Sequence, residues 1–600
     1  MTSTESAQYH QAFTDLRLES ASQIRLVELL PGPLHSPIVC KLKRVQCDES
    51  LEYNCLSYTW GSDADPIIIQ LKAEGGNVAD ISVTRNLGIA LRHLRQEDGP
   101  RTLWIDALCI NQNDVEEKRQ QVALMPVIYG SADRVLVWLG PGTHGSDKIM
   151  EEFEKHESQE DFGERLFEEK NARLRRALEA LLERDYWSRA WVVQEIFKAK
   201  EITLLCGQKS ASWTSVTSSM AAFVQKRIEM MNQTEGPTVV SDRTVAMRPQ
   251  TLDTLGHLST YRLYPEHERG PLWLFQMLLR LRHFKCKDPR DKIFSLLGLV
   301  DPESLLTDHS QRPAIYVDYH LSHRDVSTRL FEWCVTPNPQ KRLSPEGHGG
   351  ILNILCASQP AQSDQFPSWL PDFSKDDGTS PWPTFPLQAQ ARFPCEKPTF
   401  SDDYSVLSIK ARRITVLEEH GMTSRFDDCH AADDIGLLAR LHACMELSLE
   451  FKLGLGIRRT SFWDVLVLGG HSAAHVLSYL ILAQPRVNFR DPVSVEEALK
   501  VGISKQVGGV ILFINDFRQK SFRRRFAFVN LDGRYYGAMV PAAAQPGDVV
   551  YLLGDCDYPV LLRSENSHPG KFVFVGPCCI PDWKVGSVDG YGEIETVSLS

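Results

Sequence analysis

Between Leu103 and Gly140 the chain reads LWIDALCINQNDVEEKRQQVALMPVIYGSADRVLVWLG, and this stretch restricts the folds open to it more than any other. Leu103, Trp104 and Ile105 form a short apolar run that stops at Asp106. Val115, Val122, Met125 and Ile128 then recur at helical spacing, and Val135 to Leu139 is a second apolar run. Strand, helix, strand is one βαβ unit, and its Asp106 stands where a strand ends. Ligands of open parallel sheets collect at the carboxyl ends of strands, so the position matters for chemistry. Pro126 predicts a bend or break over Met125 to Val127, because inside a helix it removes a backbone hydrogen bond and costs ~3 kcal/mol.

The alternation continues on both sides. Ile24 to Leu30 and Ile38 to Val45 read as strands around a PGP turn, and Leu56 to Trp60 as the opening strand of the sheet, ending in the polar loop GSDADP. Arg85 to Arg95 carries Leu87, Leu91 and Leu94 on one helical face. Residues 144–183 are charge-rich and helical, an insertion or extended face over the sheet. A helix from Tyr186 to Lys198 and a strand from Ile202 to Leu205 follow. Such alternation implies a mostly parallel sheet with right-handed crossovers. Beyond Trp213 the pattern turns helical as far as Leu299, with PLWLFQMLLRLRHF its clearest amphipathic segment. Pro-rich and Ser-rich stretches at 335–347 and 358–400 read as linker, and Phe526 to Pro581 alternates as a small antiparallel β module.

Three blocks together resemble the fungal HET domain, named for heterokaryon incompatibility: YNCLSYTWG (Tyr53 to Gly61), the βαβ stretch itself, and RDYWSRAWVVQEIFKAKEITLLCG (Arg184 to Gly207). KDPRDKIFSLLGL (Lys287 to Leu299), PSWLPDF (Pro367 to Phe373) and PGDVVYLLGDCDYPVLLR (Pro546 to Arg563) resemble flanks common in long HET-domain proteins, and all six stand in the expected order. The organisation expected is a polar, disordered 1–20, a HET domain over 21–215, a helical region over 216–335, a linker or irregular region over 336–400, and an α+β region over 401–600 with its β module at about 521–585. The resemblance implies an effector of fungal non-self recognition that triggers programmed cell death. The alternative it leaves open is a regulatory protein that uses the HET domain only for protein–protein contact. Either way the partner implied is a protein of an incompatibility system or a second copy of the chain.

Composition narrows the classes. Charged residues at 24% and hydrophobic ones at 42% describe an ordinary globular protein. A net charge of -11 argues against a phosphate-neutralising surface, so no nucleic-acid partner is expected. RQKSFRRRF, with Arg518, Lys520 and Arg523 to Arg525, is the local exception and reads as a solvated strand face. The first twenty residues lack an apolar core and no run reaches the ~18 apolar residues of a membrane span, so neither secretion nor membrane insertion is expected. The 14 cysteines are scattered, which suits a cytoplasmic location. No CxxC pair occurs, and His471 and His475 are followed by no catalytic glutamate of the HExxH type, so no metal is expected. GxxxxGK[ST] is absent, and GLGIRR near 454–458 lacks a strand-turn-helix context.

Glu195 carries the chemical question. In RDYWSRAWVVQEIF, Trp187, Trp191 and Glu195 recur every four residues and so share one face of the expected helix. A carboxylate stacked on tryptophan is partly desolvated, which raises its pKa or demands a partner, and Arg184 or Arg189 could supply one. By residue pattern alone a structural ion pair or capping carboxylate is the favoured reading. HET domains in turn resemble Toll/interleukin-1 receptor (TIR) domains, and the TIR domains that cleave NAD place their catalytic glutamate on the corresponding helix a few residues after a tryptophan. That resemblance implies a TIR-like, flavodoxin-like α/β fold, with Glu195 catalytic and NAD as substrate rather than bound cofactor. TIR domains commonly carry cysteine after the tryptophan, where this chain has Val192. Trp60, Gly61, Asp63, Asp106, Asn111 and Trp191 would line the crevice. Each has a structural reading beside the functional one: Trp60 and Trp104 as core aromatics, Asp106 and Asn111 as helix caps. Cys109 reads as a buried structural thiol and Asp288 as a helix cap ahead of Pro289. With no nucleotide switch in the chain, the C-terminal β module is expected to be a regulatory or sensing surface.

Overall fold

The structure is a computed structural model. It describes residues 16–155 and 159–233 apart from 49, 63 and 73–77; residues 265–336 apart from 308–309; 353–356, 366–375, 397–419, 434–450 and 491–504; and 523–600 with short gaps, along with scattered residues between. Asp63, His471, His475, the GLGIRR segment and most of 335–347 and 358–400 lie outside the described residues.

The N-terminal sheet contains β1 (Gln23–Leu29), β2 (Val39–Gln46), β3 (Asn54–Tyr58), β4 (Ile67–Lys72), β5 (Val78–Val83), β6 (Arg101–Trp104), β7 (Arg134–Trp138), β8 (Ile202–Cys206) and β9 (Lys209–Ser212). Their spatial order is β5-β4-β2-β1-β6-β3-β7-β8-β9. The sheet is mixed, not mostly parallel: β6, β3, β7 and β8 run parallel, while β1–β2, β1–β6, β4–β5 and β8–β9 are antiparallel. Connection length is the reason. Tight turns can join only antiparallel neighbours, whereas helical crossovers deliver the parallel ones. Counted in chain order, the parallel centre reads second, first, third, fourth. The connection leaving β3 heads for β4 on one side and that leaving β7 for β8 on the other, which makes the gap between β3 and β7 a topological switch point.

Helices cover this sheet where the apolar spacing placed them. Helix α1 (Arg85–Leu94) is capped by Thr84, whose side chain accepts from the Leu87 amide, and it buries Leu87, Leu91 and Leu94. Helix α2 (Val115–Ser131) is capped by Asp114, which accepts from the amides of Glu116 and Glu117. It runs through Pro126 without the expected break. Pro126 is clamped from outside: a Cβ on Gly298 would overlap its ring and lie 2.6 Å from Gln194 Oε1. Gly298→Ala is therefore expected to destabilise the protein by about 1–3 kcal/mol through overpacking, read as a lower midpoint in urea; an unchanged midpoint would show that this contact can relax.

The second departure bears on the site. Tyr186 to Lys198 is not one helix: a 3-10 turn (Asp185–Ser188) gives way to extended backbone at Arg189, and helix α3 (Val192–Lys198) starts afresh. Ala190 donates its amide to the Lys285 carbonyl at 3.0 Å and Lys285 donates back to Ser188, a bridge that pulls the chain out of helical register. Trp187 therefore leaves the face on which Trp191 and Glu195 remain one turn apart. Lys285 lies between α4 (Pro271–Arg280) and α5 (Asp291–Leu297), so the helical region packs directly on the segment bearing Glu195.

At the C-terminus, strand Leu407–Val416 pairs with both Val549–Leu553 and Ile594–Leu599. Pro559–Ser564 and Lys571–Pro577 join these two partners and close a small barrel, antiparallel except where Lys571–Pro577 meets Ile594–Leu599. Arg524–Leu531 and Arg534–Pro541 form a separate hairpin. Arg524 is fully buried and Arg525 donates to the Ala544 carbonyl at 2.9 Å, so this part of the basic run is not the solvated face its composition suggests, while Arg523 is exposed. One continuous apolar cluster runs from Phe13 and Ile24 through Trp138, Phe331 and Trp369 to Leu407, Phe574 and Leu599.

Candidate functional site

The polar centre of the sheet is assembled from β3, the strand end after β6, and the broken segment before α3. Ser57, next to last in β3, donates its hydroxyl to Glu195 Oε2 and lies 2.7 Å from the Tyr186 hydroxyl. Glu195 is 2% exposed. Arg189 Nη1 sits 3.9 Å from the same Oε2 and makes no hydrogen bond. That distance is too long for a hydrogen bond, so the two charges attract through space rather than locking together. Arg189 is also drawn to Asp106, on the far side of the cluster.

Asp106 begins the turn that follows β6. Its Oδ1 accepts from the Ala107 amide at 2.7 Å, although Ile105 and not Asp106 is the cap of this short helix, and its Oδ2 accepts from Trp60 Nε1 at 2.8 Å. Trp60 is 37% exposed, which rules out the core-aromatic reading that Trp104, fully buried, does satisfy. The loop holding the indole is fixed by its neighbours. Gly61 adopts φ 77°, a left-handed conformation that glycine reaches without strain. Asn86 donates to the Thr59 carbonyl at 2.5 Å and accepts from Trp138 Nε1 at 3.0 Å. The network therefore runs from an enclosed carboxyl to an exposed ring.

Burial dominates its electrostatics. It pushes the Glu195 carboxyl up to about 7, helped by nearby Asp106 and opposed by Arg189 and the Ser57 hydrogen bond. Burial also raises Asp106, against Arg189 and the hydrogen bonds from Trp60, the Ala107 amide and Tyr58. Burial alone would lower the Arg189 guanidinium, but Glu195 and Asp106 outweigh it and raise it. Tyr58, Tyr129 and Tyr186 surround the cluster with phenols that burial keeps protonated. One guanidinium between two buried carboxyls cannot offset both charges, so a proton is retained on the cluster close to neutrality.

Glu195, Asp106 and Trp60 are thus linked, with Gly61 at the turn. Trp191 and Asn111 are engaged elsewhere. Trp191 hydrogen-bonds Asp291, a carboxyl that burial pushes up to about 6 and that also accepts from the Tyr319 hydroxyl at 2.8 Å. Asn111 organises the turn into α2: its amide donates to Glu117 Oε1 at 2.7 Å, and its side chain accepts from the Asn113 amide at 3.2 Å. Glu117 in turn holds the buried Arg25 bidentately at 2.6 and 2.9 Å. Arg184 donates to the Leu139 carbonyl at 2.6 Å, leaving Arg189 as the cation beside Glu195. Cys109 is fully buried, and burial pushes its thiol up to about 12, so it stays protonated near neutrality. Asp288 accepts from the Arg290 amide at 3.0 Å and pairs with its side chain, just ahead of α5. Ser57 and Tyr186 escaped the sequence reading, and a hydroxyl inside the apolar run CLSY was the available signal for the first. Among the described residues no group of His, Cys, Asp and Glu could hold a metal ion, and no helix is long and apolar enough to cross a membrane.

Fold and cluster together define a mixed α/β domain with an enclosed acid at the carboxyl ends of its parallel strands. Residues 53–195, from the start of the β3 block to Glu195 itself, match the family model described as heterokaryon incompatibility protein (HET). The chain is also similar to heterokaryon incompatibility protein 6, OR allele, of Neurospora crassa, with 26% identity over 406 residues. That match covers 59% of this chain and 58% of the relative, so the chain spans little more than half the length of the protein it matches. No solved structure matches it. Over residues 53–195 the chain is thus similar to the HET family.

Proposed function

We propose that this protein is an effector of fungal non-self recognition that brings about cell death by cleaving the nicotinamide–ribose bond of NAD in a TIR-like manner, with Glu195 as the catalytic carboxylate. The observation that carries the reading is the position of Glu195. It lies on the helix before the fourth parallel strand, hydrogen-bonded to Ser57 beside the switch point of a second-first-third-fourth strand order, which supports a flavodoxin-like reading. Loss of nicotinamide builds positive charge on the ribose, as in glycoside cleavage, and a carboxylate stabilises it. At ~4 Å and an effective dielectric of about 20 that attraction is around 4 kcal/mol, on the order of a thousandfold in rate. Trp60 and Asp106 would form the outer part of the site, and Arg189 would govern whether Glu195 carries its charge.

A specific observation favours a second reading. Glu195 is enclosed, with the Ser188–Ala190 segment tied to Lys285, so the site as seen is closed to substrate. A domain that acts only through protein contact would look the same. Cell killing on overexpression does not separate the two, whereas loss of NAD in the presence of the purified chain does. Cleavage by the wild type supports catalysis; killing with NAD intact supports the contact-only effector.

A further inference from the structure

We propose that Cys356 and Cys556 are a disulfide-forming pair, closed by a peroxide-class oxidant, that staples the helical turn Asn353–Cys356 to the C-terminal barrel. Their Sγ atoms lie 3.6 Å apart, in contact, although 200 residues separate them in sequence. Both are buried, at 2% and 1% exposure. Each sits on a well-anchored element. Ile354 and Leu355, just before Cys356, are buried in the large apolar cluster. Cys556 is held in the turn after Val549–Leu553 by its own amide, which donates to the Leu553 carbonyl at 3.3 Å. Gly554 donates to the Lys410 carbonyl at 3.0 Å, and Tyr558 is buried. Two thiols fixed in contact react at a far higher effective concentration than thiols that must find one another.

The chemistry balances with hydrogen peroxide as the oxidant. One thiol, as thiolate, attacks the peroxide oxygen, breaking the O–O bond; its sulfur becomes a sulfenic acid, and the expelled hydroxide takes the displaced proton and leaves as water. The second thiolate attacks that sulfur, the S–S bond forms, and the departing hydroxide takes the second proton as another water. Two thiols and one peroxide give one disulfide and two waters, with sulfur oxidised and peroxide oxygen reduced. The loop closed is long, so the bond removes much of the freedom of the unfolded chain and fixes the barrel to the helical region.

The test uses the full chain, purified reduced, exposed to hydrogen peroxide, blocked with a maleimide and digested without reductant for mass spectrometry. The expected result is a linked peptide pair joining Cys356 to Cys556, reversed by dithiothreitol. The oxidised protein should unfold at a higher temperature than the reduced one, and that rise should vanish in Cys356→Ser and in Cys556→Ser alike. Recovery of both cysteines as maleimide-blocked thiols after peroxide would overturn the proposal. So would a disulfide joining either one to a third cysteine. The peptide readout is made on the wild type and does not depend on the variants folding.

Discussion

Replacing Glu195 by glutamine is expected to abolish killing and NAD loss together while making the protein more stable above pH 7. The amide keeps the shape of the side chain and removes the charge, so any step relying on that charge loses on the order of a thousandfold. The stability effect follows from burial. A carboxyl raised from 4.5 to about 7 on folding binds its proton more tightly in the native state. Its contribution is therefore fully present below pH 4.5 and is lost as pH rises through 7, the reverse of an ordinary ion-paired carboxylate. Between wild type and Glu195→Gln the difference should grow from near zero at pH 4.5 to about 3 kcal/mol at pH 8. Urea midpoints of both proteins across that range check it. Parallel curves would mean that Glu195 is ionised at little cost and that Arg189 offsets its charge fully.

Removing the C-terminal region should cost solubility rather than release activity. Whether or not the C-terminal β module is a regulatory or sensing surface, the barrel shares the main apolar cluster with the N-terminal sheet. Phe331 packs on Trp369 at 5.0 Å and on Phe400 at 6.2 Å between ring centres, and Ser368 binds both the Ser600 carbonyl and the Phe574 amide. A fragment ending at residue 396 strips from the shared cluster Leu407, Phe574 and Leu599, all buried in the whole chain. At roughly 2 kcal/mol for the burial of each such side chain, the loss is about 6 kcal/mol, a large part of the stability of an ordinary domain. Expression of the fragment should yield aggregated protein, judged by gel filtration. A soluble, monomeric fragment with raised activity would support the regulatory role.

Much of the N-terminal unit was legible because its signals are local. Thr84 and Asp114 cap helices whose apolar spacing predicted them, and the βαβ unit around Asp106 follows from hydrophobic runs alone. What escaped is non-local. The bridge between Ala190 and Lys285 joins residues far apart in the chain and takes Trp187 off the face that its four-residue spacing shares with Trp191 and Glu195. The same packing carries α2 through Pro126, where Gly298 supports it from outside. Of the candidate site, Glu195, Asp106 and Trp60 were identifiable by residue type at strand and helix ends. Ser57 and Tyr186 were hidden, because a single hydroxyl in an apolar segment leaves no periodic trace.

Nicotinamide release decides whether Glu195 is a catalytic carboxylate. Purified full-length wild type and Glu195→Gln, each shown to be folded by its thermal transition, are incubated with NAD and followed by proton NMR for free nicotinamide. Release by the wild type and none above background by Glu195→Gln is the expected result. Equal release by the two proteins, or none by a folded wild type that still kills cells, would contradict it.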